Sequence, residues 1–223
     1  MRWIKKQQSV SSSLWFAAWA FSLAVMVVGC SGRPQVAGSG FLRNYSQLKP
    51  DPAAEGALTW LAPGEKLKQH KKFIIDPVIV HFASDAKGTA IDPAELKELA
   101  DYFHSGVVKA LSETGRYQVV SAPGPGVARV RIAITDISRT VPVANIHPGT
   151  KLSGIGLGGA AMEAELVDSV SGDRLGAVMD SQSGGRLGVT AGLQTYGHAK
   201  EVMDGWATRF VNRLDEIHGY TKK

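Results

Sequence analysis

The sequence is short of cysteine, of clustered charge and of paired histidines, and each shortage excludes something. Its 223 residues hold one cysteine, Cys30, so no disulfide can form within the chain. A folded body must then stand on its hydrophobic core, even in an oxidising compartment. The formal net charge is +5, but Arg2, Lys5 and Lys6 all precede the first acid, Asp51; without residues 1–29 the excess falls to +2. So small an excess is a poor footing for nucleic-acid binding, which needs a clustered basic face. His70, His81, His104, His147, His198 and His218 are scattered, with no H-E-x-x-H spacing and no cysteine partner, so no metal site is expected. Apolar residues at 44% and charged residues at 20% fit a globular body rather than a disordered chain.

What is present is most specific at the N-terminus. A basic head, "MRWIKKQQ", leads into Leu14–Val28, apolar throughout except for Ser22. The run is shorter than the roughly 20 residues a spanning helix needs and has the form of a secretory signal, so residues 1–29 stand outside the fold. Val27-Val28-Gly29-Cys30 resembles the bacterial lipobox: an aliphatic pair, a small residue, then an obligatory cysteine. The residue types follow from chemistry. A thiol is the nucleophile suited to take a diacylglyceryl group as a thioether. Gly29 leaves room for cleavage before Cys30, whose new α-amino group can then be acylated. Each buried methylene contributes about 0.8 kcal/mol and one chain holds only marginally, so two or three chains are needed for stable anchoring. Ser31, in place of an aspartate, directs sorting to the outer membrane in a host that has one.

Residues 31–40, "SGRPQVAGSG", read as a short flexible tether. Aromatic and aliphatic residues mixed with Pro and Gly then suggest an irregular arm, anchored by Phe41, Tyr45 and Trp60. Regular structure is expected from Lys72. "FIIDPVIVHF" reads as a buried strand in which Pro77 demands a bulge or an edge. Asp92, Pro93 and Glu95 form an N-terminal capping box. Leu96, Leu99, Ala100, Phe103, Val107 and Leu111 follow at helical spacing, and Gly115 ends the run. "RYQVVSA" is a short strand. In "VARVRIAITDIS", Val130, Ile132 and Ile134 share one face, and Arg129 and Arg131 the other. Met162, Ala164 and Leu166 face inward on the next strand, with Glu163 and Glu165 outward on a wet face opposite the arginines. Ser171-Gly172 turns the chain into a strand with Leu175, Ala177 and Met179 inward. From His198 to Ile217, Ala199, Met203, Trp206, Phe210, Leu214 and Ile217 form one helical stripe, read as core. The expected class is α+β: a mostly antiparallel sheet of about five strands with two amphipathic helices on one face. The expected organisation is a signal peptide over 1–29, a lipidated tether and irregular arm over 30–71, and an α+β periplasmic domain over 72–223.

Four stretches carry a resemblance: "SGFLRNYSQLKPDP", "DPAELKELADYFHSGVVKAL", "YQVVSAPGPGVARVRIAITDI" and "AMEAELVDSVSGDRLGAV". Together they resemble an uncharacterised family of bacterial lipoproteins catalogued as domain of unknown function 3313. The resemblance covers nearly all of the mature chain. It implies a lipobox and a secreted α+β body, and it brings no activity and no catalytic residues.

No constellation for catalysis emerges. Gly154, Gly156 and Gly159 match G-x-G-x-x-G, but the following segment alternates like a strand and no βαβ unit surrounds it, so no dinucleotide and no other cofactor is expected. Gly154, Ile155, Gly156 and Leu157 are better read as a loop, with partner or membrane contact as its one candidate role. His81 reads as a satisfied core histidine, and His104 as facing water. "SQSGG" around Ser183 lacks the first glycine of a nucleophile elbow. The functional expectation is a lipid-anchored envelope protein, not an enzyme, acting as an adaptor or assembly partner at the outer membrane with its body in the periplasm. Its expected partners are the membrane and an envelope protein, with no nucleic acid. The alternatives are a subunit of an oligomeric export or pore complex and, third, a glycan- or lipid-acting hydrolase.

Overall fold

Three long strands joined as a meander organise the molecule. The computed structural model describes residues 38–139, 158–183 and 194–220. In chain order the elements are β1 (Lys49–Pro50), β2 (Leu58–Leu61), α1 (Gly64–Leu67), β3 (Lys72–Ile75), β4 (Ile79–Val80), a 3₁₀ turn (Gly88–Ala90), α2 (Pro93–Glu113), β5 (Gln118–Val119), β6 (Val127–Ser138), β7 (Gly159–Asp168), β8 (Arg174–Ser183) and α3 (Gly197–His218). Among the described residues the strands form one eight-stranded sheet in the order β1-β2-β8-β7-β6-β3-β5, with β4 also on β6.

The α+β class holds, and the sheet is wider and more mixed than expected. From β1 through β2, β8 and β7 to β6 every pair is antiparallel. The pairs β3–β5, β3–β6 and β4–β6 are parallel. Regular structure also begins before Lys72, because β2 lines up along β8 and carries β1 on its other edge. Strands β1 and β2, of two and four residues, are too short to show a period, so the sequence hides them. Pro77 does break its strand: Ile75 pairs with Val130 and Ile79 with Ala133, one extra residue on the proline side.

Two bulges reset which side chains face the helices. Register shifts between Ile134 and Asp136, which keeps the Asp136 carboxylate out of the core and returns Ile137 to it, 1% exposed. Asp136 then receives the N–H groups of Lys87, Gly88 and Ile137 at 2.8–2.9 Å. In β8 a shift at Leu175 sets Arg174 opposite Val167 and Gly176 opposite Leu166. Directly paired residues share a face. Ala177 and Met179 therefore lie beside Glu165 and Glu163, on the face away from the helices, while Val178 and Asp180 face the helices. The expectation for Ala177 and Met179 fails for this reason, and Leu175 alone of the three joins the main core.

The helices match their sequence pattern. Asp92 caps α2 by accepting the Ala94 N–H at 2.7 Å. Glu95 reaches away from the cap: its Oε2 accepts from the Tyr196 hydroxyl at 2.8 Å and from Arg139 at 3.3 Å. Beyond the helix, Gly115 adopts φ +65°, the left-handed conformation that lets the chain turn off a helix end. Helix α2 buries Leu99, Ala100, Phe103, Val107 and Leu111, and α3 buries Ala199, Met203, Trp206 and Leu214. The two pack side by side on one sheet face, where Phe103 meets Trp206 with ring centroids 5.6 Å apart.

Candidate functional site

The opposite sheet face holds the first feature of interest. Glu163 and Glu165, expected in water, are 1% and 4% exposed. The reason is the arm. Residues 39–45 lie over β7, and Glu163 gathers them: Ser39 N–H donates to Oε1 at 2.7 Å, and the Tyr45 hydroxyl and Leu42 N–H donate to Oε2 at 2.6 and 3.3 Å. The Tyr45 oxygen in turn accepts from Gly40 N–H at 2.8 Å and Leu42 N–H at 3.2 Å. Burial, then the bond to Glu163, raises the phenol above its ordinary pKa. The neighbours of Glu163 in register, Ala133 and Met179, are buried as well.

Glu165 extends the clasp. Arg131 lies directly across the ladder and donates to it at 2.9 Å, and Arg174 approaches it at 3.1 Å. Both arginines also hold the arm. The Arg131 guanidinium stands 5.3 Å over the Phe41 ring, and Arg174 donates to the Asn44 carbonyl at 2.7 Å. Arg129 departs from the expected pairing: it faces Val167 in register and donates to Asp76 at 2.8 Å. His81 is exposed rather than buried; it lies 3.2 Å from the Ser39 carbonyl and 6.4 Å, centre to centre, from Phe41. Of the three expected anchors, Phe41 and Tyr45 serve the arm, while Trp60 belongs to β2. Alternation shows that two strand faces differ, but not that a distant arm covers one of them, so the clasp has no signal in the strand itself.

A second feature lies on the helix face. Two helices are too few to cover eight strands, and over β8 and β2 the flank of α3 leaves a cavity of about 240 Å³. Thr59, Leu61, Ala164, Val178 and Trp206 line it, and it reaches inward to Phe103 and Val107. Closed and empty, such a void would cost on the order of 6 kcal/mol at roughly 24 cal/mol per Å³, comparable to the net stability of a domain; this one opens at the α3–β2 edge. Three carboxylates border it, and each has a cationic partner. Asp180 accepts from Trp206 at 2.8 Å and Arg209 at 2.6 Å, and Asp51 takes Arg213 at 3.0 Å. Glu216 is 3.5 Å from Arg213. No histidine, serine or cysteine lines it among the described residues.

His70 and His104 are bonded into the fold. His70 is buried between the Lys66 carbonyl at 3.0 Å and Asp168 at 2.9 Å. That bond first, and then the Ser171 and Val170 N–H groups, hold Asp168 well below the usual carboxylate range. His104, expected in water, is half-buried with Nε2 3.2 Å from the Ile75 carbonyl. Among the described residues no group of three potential metal ligands converges. Val27, Val28, Gly29, Cys30 and Ser31, the loop Gly154–Leu157, and His147 lie outside the described residues.

Comparison with known proteins gives relatives without an activity. The chain is 26% identical over 187 residues to the "Uncharacterized lipoprotein YdcL" of Escherichia coli K12, covering 76% of this chain and 82% of that one. Among solved structures, PelC from Paraburkholderia phytofirmans, described as a dodecamer, aligns at a TM-score of 0.44 and 12% identity over 71% of this chain and 95% of that one. Protein XCC0632 from Xanthomonas campestris aligns at 0.37 and 12% over 67% and 86%. Residues 37–210, which hold the arm, the sheet and most of α3, match the family described as "Protein of unknown function (DUF3313)", and the chain belongs to that family.

Proposed function

We propose that the protein is a lipid-anchored envelope lipoprotein, held through Cys30 at the outer membrane, whose periplasmic body acts as a non-enzymatic adaptor or assembly partner. The observation that carries this reading is the clasp. Ser39, whose N–H is held by Glu163, is the ninth residue after Cys30. A chain of that length spans at most about 32 Å. A buried carboxylate and two arginines thus fix the arm to the sheet a short reach from the anchor, so a pull on the lipid end is transmitted to the sheet. The lipoprotein relative and the lipobox resemblance support the anchor. The pairing of Asp51, Asp180 and Glu216 at the cavity with arginines supports a binding body over a hydrolase.

Cross-linking in intact cells tests the adaptor role, with identification of whatever the body captures. The expected result is one recurring envelope protein, recovered in the outer-membrane fraction. Recovery of the protein free in the periplasm, or no protein captured from any face of the body, would contradict it.

A further inference from the structure

We propose that the cavity between α3 and the β8–β2 edge binds a medium-chain fatty acid, with the tail inside and the carboxylate at Arg209 and Arg213. The proposal goes beyond the adaptor reading and stands without it.

The walls argue for an alkyl tail. On the helix face of the sheet, Met162 and Leu166 are buried, but Ala164 between them and Val178 beside it are only partly covered, because they look into the opening. Trp206 closes the other side, its indole N–H bound to Asp180, so only its apolar body faces the space. Thr59 on the wall donates its hydroxyl to the Ala177 carbonyl at 3.3 Å, which leaves apolar surface toward the space.

Volume sets the length. An apolar cavity of roughly 150 Å³ holds benzene, six heavy atoms. By proportion, 240 Å³ holds about ten. A tail of that length fills the space, whereas a membrane-length chain does not fit.

The mouth argues for an anionic head. The Arg209 side chain is 37% exposed and donates to Asp180 through Nη2. The Arg213 side chain is 33% exposed and directs Nη2 to Asp51. A guanidinium carries five N–H donors: Arg209 spends Nη2 on the buried Asp180, and Arg213 spends Nη2 on the partly buried Asp51 with Glu216 3.5 Å from its Nη1, which leaves Nε and the remaining N–H groups for a ligand carboxylate. Both residues border the cavity one helical turn apart, at positions i and i+4 of α3.

The test uses Trp206 as the reporter. In the mature chain the tryptophans are Trp60 and Trp206. A Trp60→Phe full-length chain in phosphatidylcholine vesicles is titrated with ω-bromo fatty acids of increasing length, whose bromine quenches a tryptophan in contact. Saturable quenching is expected, with affinity rising about fourfold per methylene until roughly ten carbons and flat beyond, as burial of each methylene predicts. Ala164→Phe places a six-carbon ring in space for about ten heavy atoms and should weaken the ten-carbon acid more than about a hundredfold, with helix content and melting cooperativity unchanged. Arg213→Lys tests the head without removing its charge and should weaken the acid several-fold. Absence of saturable quenching at every length overturns the proposal. So does equal affinity for the matching ω-bromo alcohol, or binding that survives Ala164→Phe in a folded chain. No acid binding, together with loss of an in-cell protein cross-link in Ala164→Phe, would assign the cavity to a partner's side chain instead.

Discussion

Tyr45 donates a 2.6 Å hydrogen bond to Glu163 across 118 positions of the chain, and the carboxylate that receives it is 1% exposed. This pair joins the first described residues after Cys30 to the middle strand of the sheet. Its removal should therefore loosen the arm before it loosens the fold.

Glu163→Ala leaves the Ser39 N–H and the Tyr45 hydroxyl without their acceptor, and leaves the Leu42 N–H only the Tyr45 oxygen. A buried unsatisfied group costs about 1–3 kcal/mol, so a destabilisation on the order of 3 kcal/mol is expected. Tyr45→Phe should cost about 1.5–3 kcal/mol, the loss of a bond to a charged acceptor, and it also removes the oxygen that accepts from Gly40 and Leu42. Hydrogen exchange at Ser39 and Leu42 is the check: both amides should exchange faster in Glu163→Ala while those of α2 keep their protection. Unchanged protection of the arm would show that Glu163 does not hold it.

Asp168 ties the β7–β8 turn to His70, and its pKa lies below its unfolded value. A carboxylate with a depressed folded pKa adds stability that is present above the unfolded pKa, near 3.9, and is lost as pH falls through the folded one. The acid limb of the stability curve, below about pH 4, should flatten in Asp168→Asn, measured by urea denaturation at stepped pH. An acid limb identical to that of the parent chain would remove Asp168 from the account.

Glu165 is buried between two arginines. Glu165→Ala strands both cations near the sheet and should cost about 3–5 kcal/mol, whereas Arg131→Ala, at the more exposed partner, should cost less. Equal effects in thermal unfolding would mean that the charges are better solvated than their burial implies.

Two glycines should respond with opposite sign. At Gly159 an added Cβ would run into the Gln182 backbone carbonyl of the neighbouring strand, so Gly159→Ala should destabilise by about 1–3 kcal/mol. Gly205 lies exposed within α3 with open space around it, and Gly205→Ala should stabilise by about 0.5–1 kcal/mol. Melting temperatures of the two variants on the same side of the parent would contradict this reading.

The elements that sequence made legible are the long ones. Helix α3 runs Gly197–His218 where the stripe from His198 to Ile217 placed it, and β6 matches the alternating run Val127–Ser138 residue for residue. Period identifies a face when an element is long enough to repeat. It fails at β1 and β2, two and four residues long, and at Leu175, where a bulge reverses the alternation and sends Ala177 and Met179 to the other face. Period also cannot say what covers a face. Glu163 and Glu165 read as solvated because acids at every second position usually are, and only the arm from 39 to 45 makes them buried. The cavity was hidden for a related reason: it arises from the mismatch between two helices and a wide sheet, a property of no single segment.

The central claim is that a lipid on Cys30 is linked through a short tether and the Glu163 clasp to the body. Mass spectrometry of the mature N-terminus, with palmitate labelling of the parent chain and of Cys30→Ala, tests it most directly. The account predicts a parent chain that begins at Cys30 and carries acyl groups, and an unlabelled, uncleaved precursor in the variant. A mature chain that begins beyond Cys30, or label retained in Cys30→Ala, would contradict it.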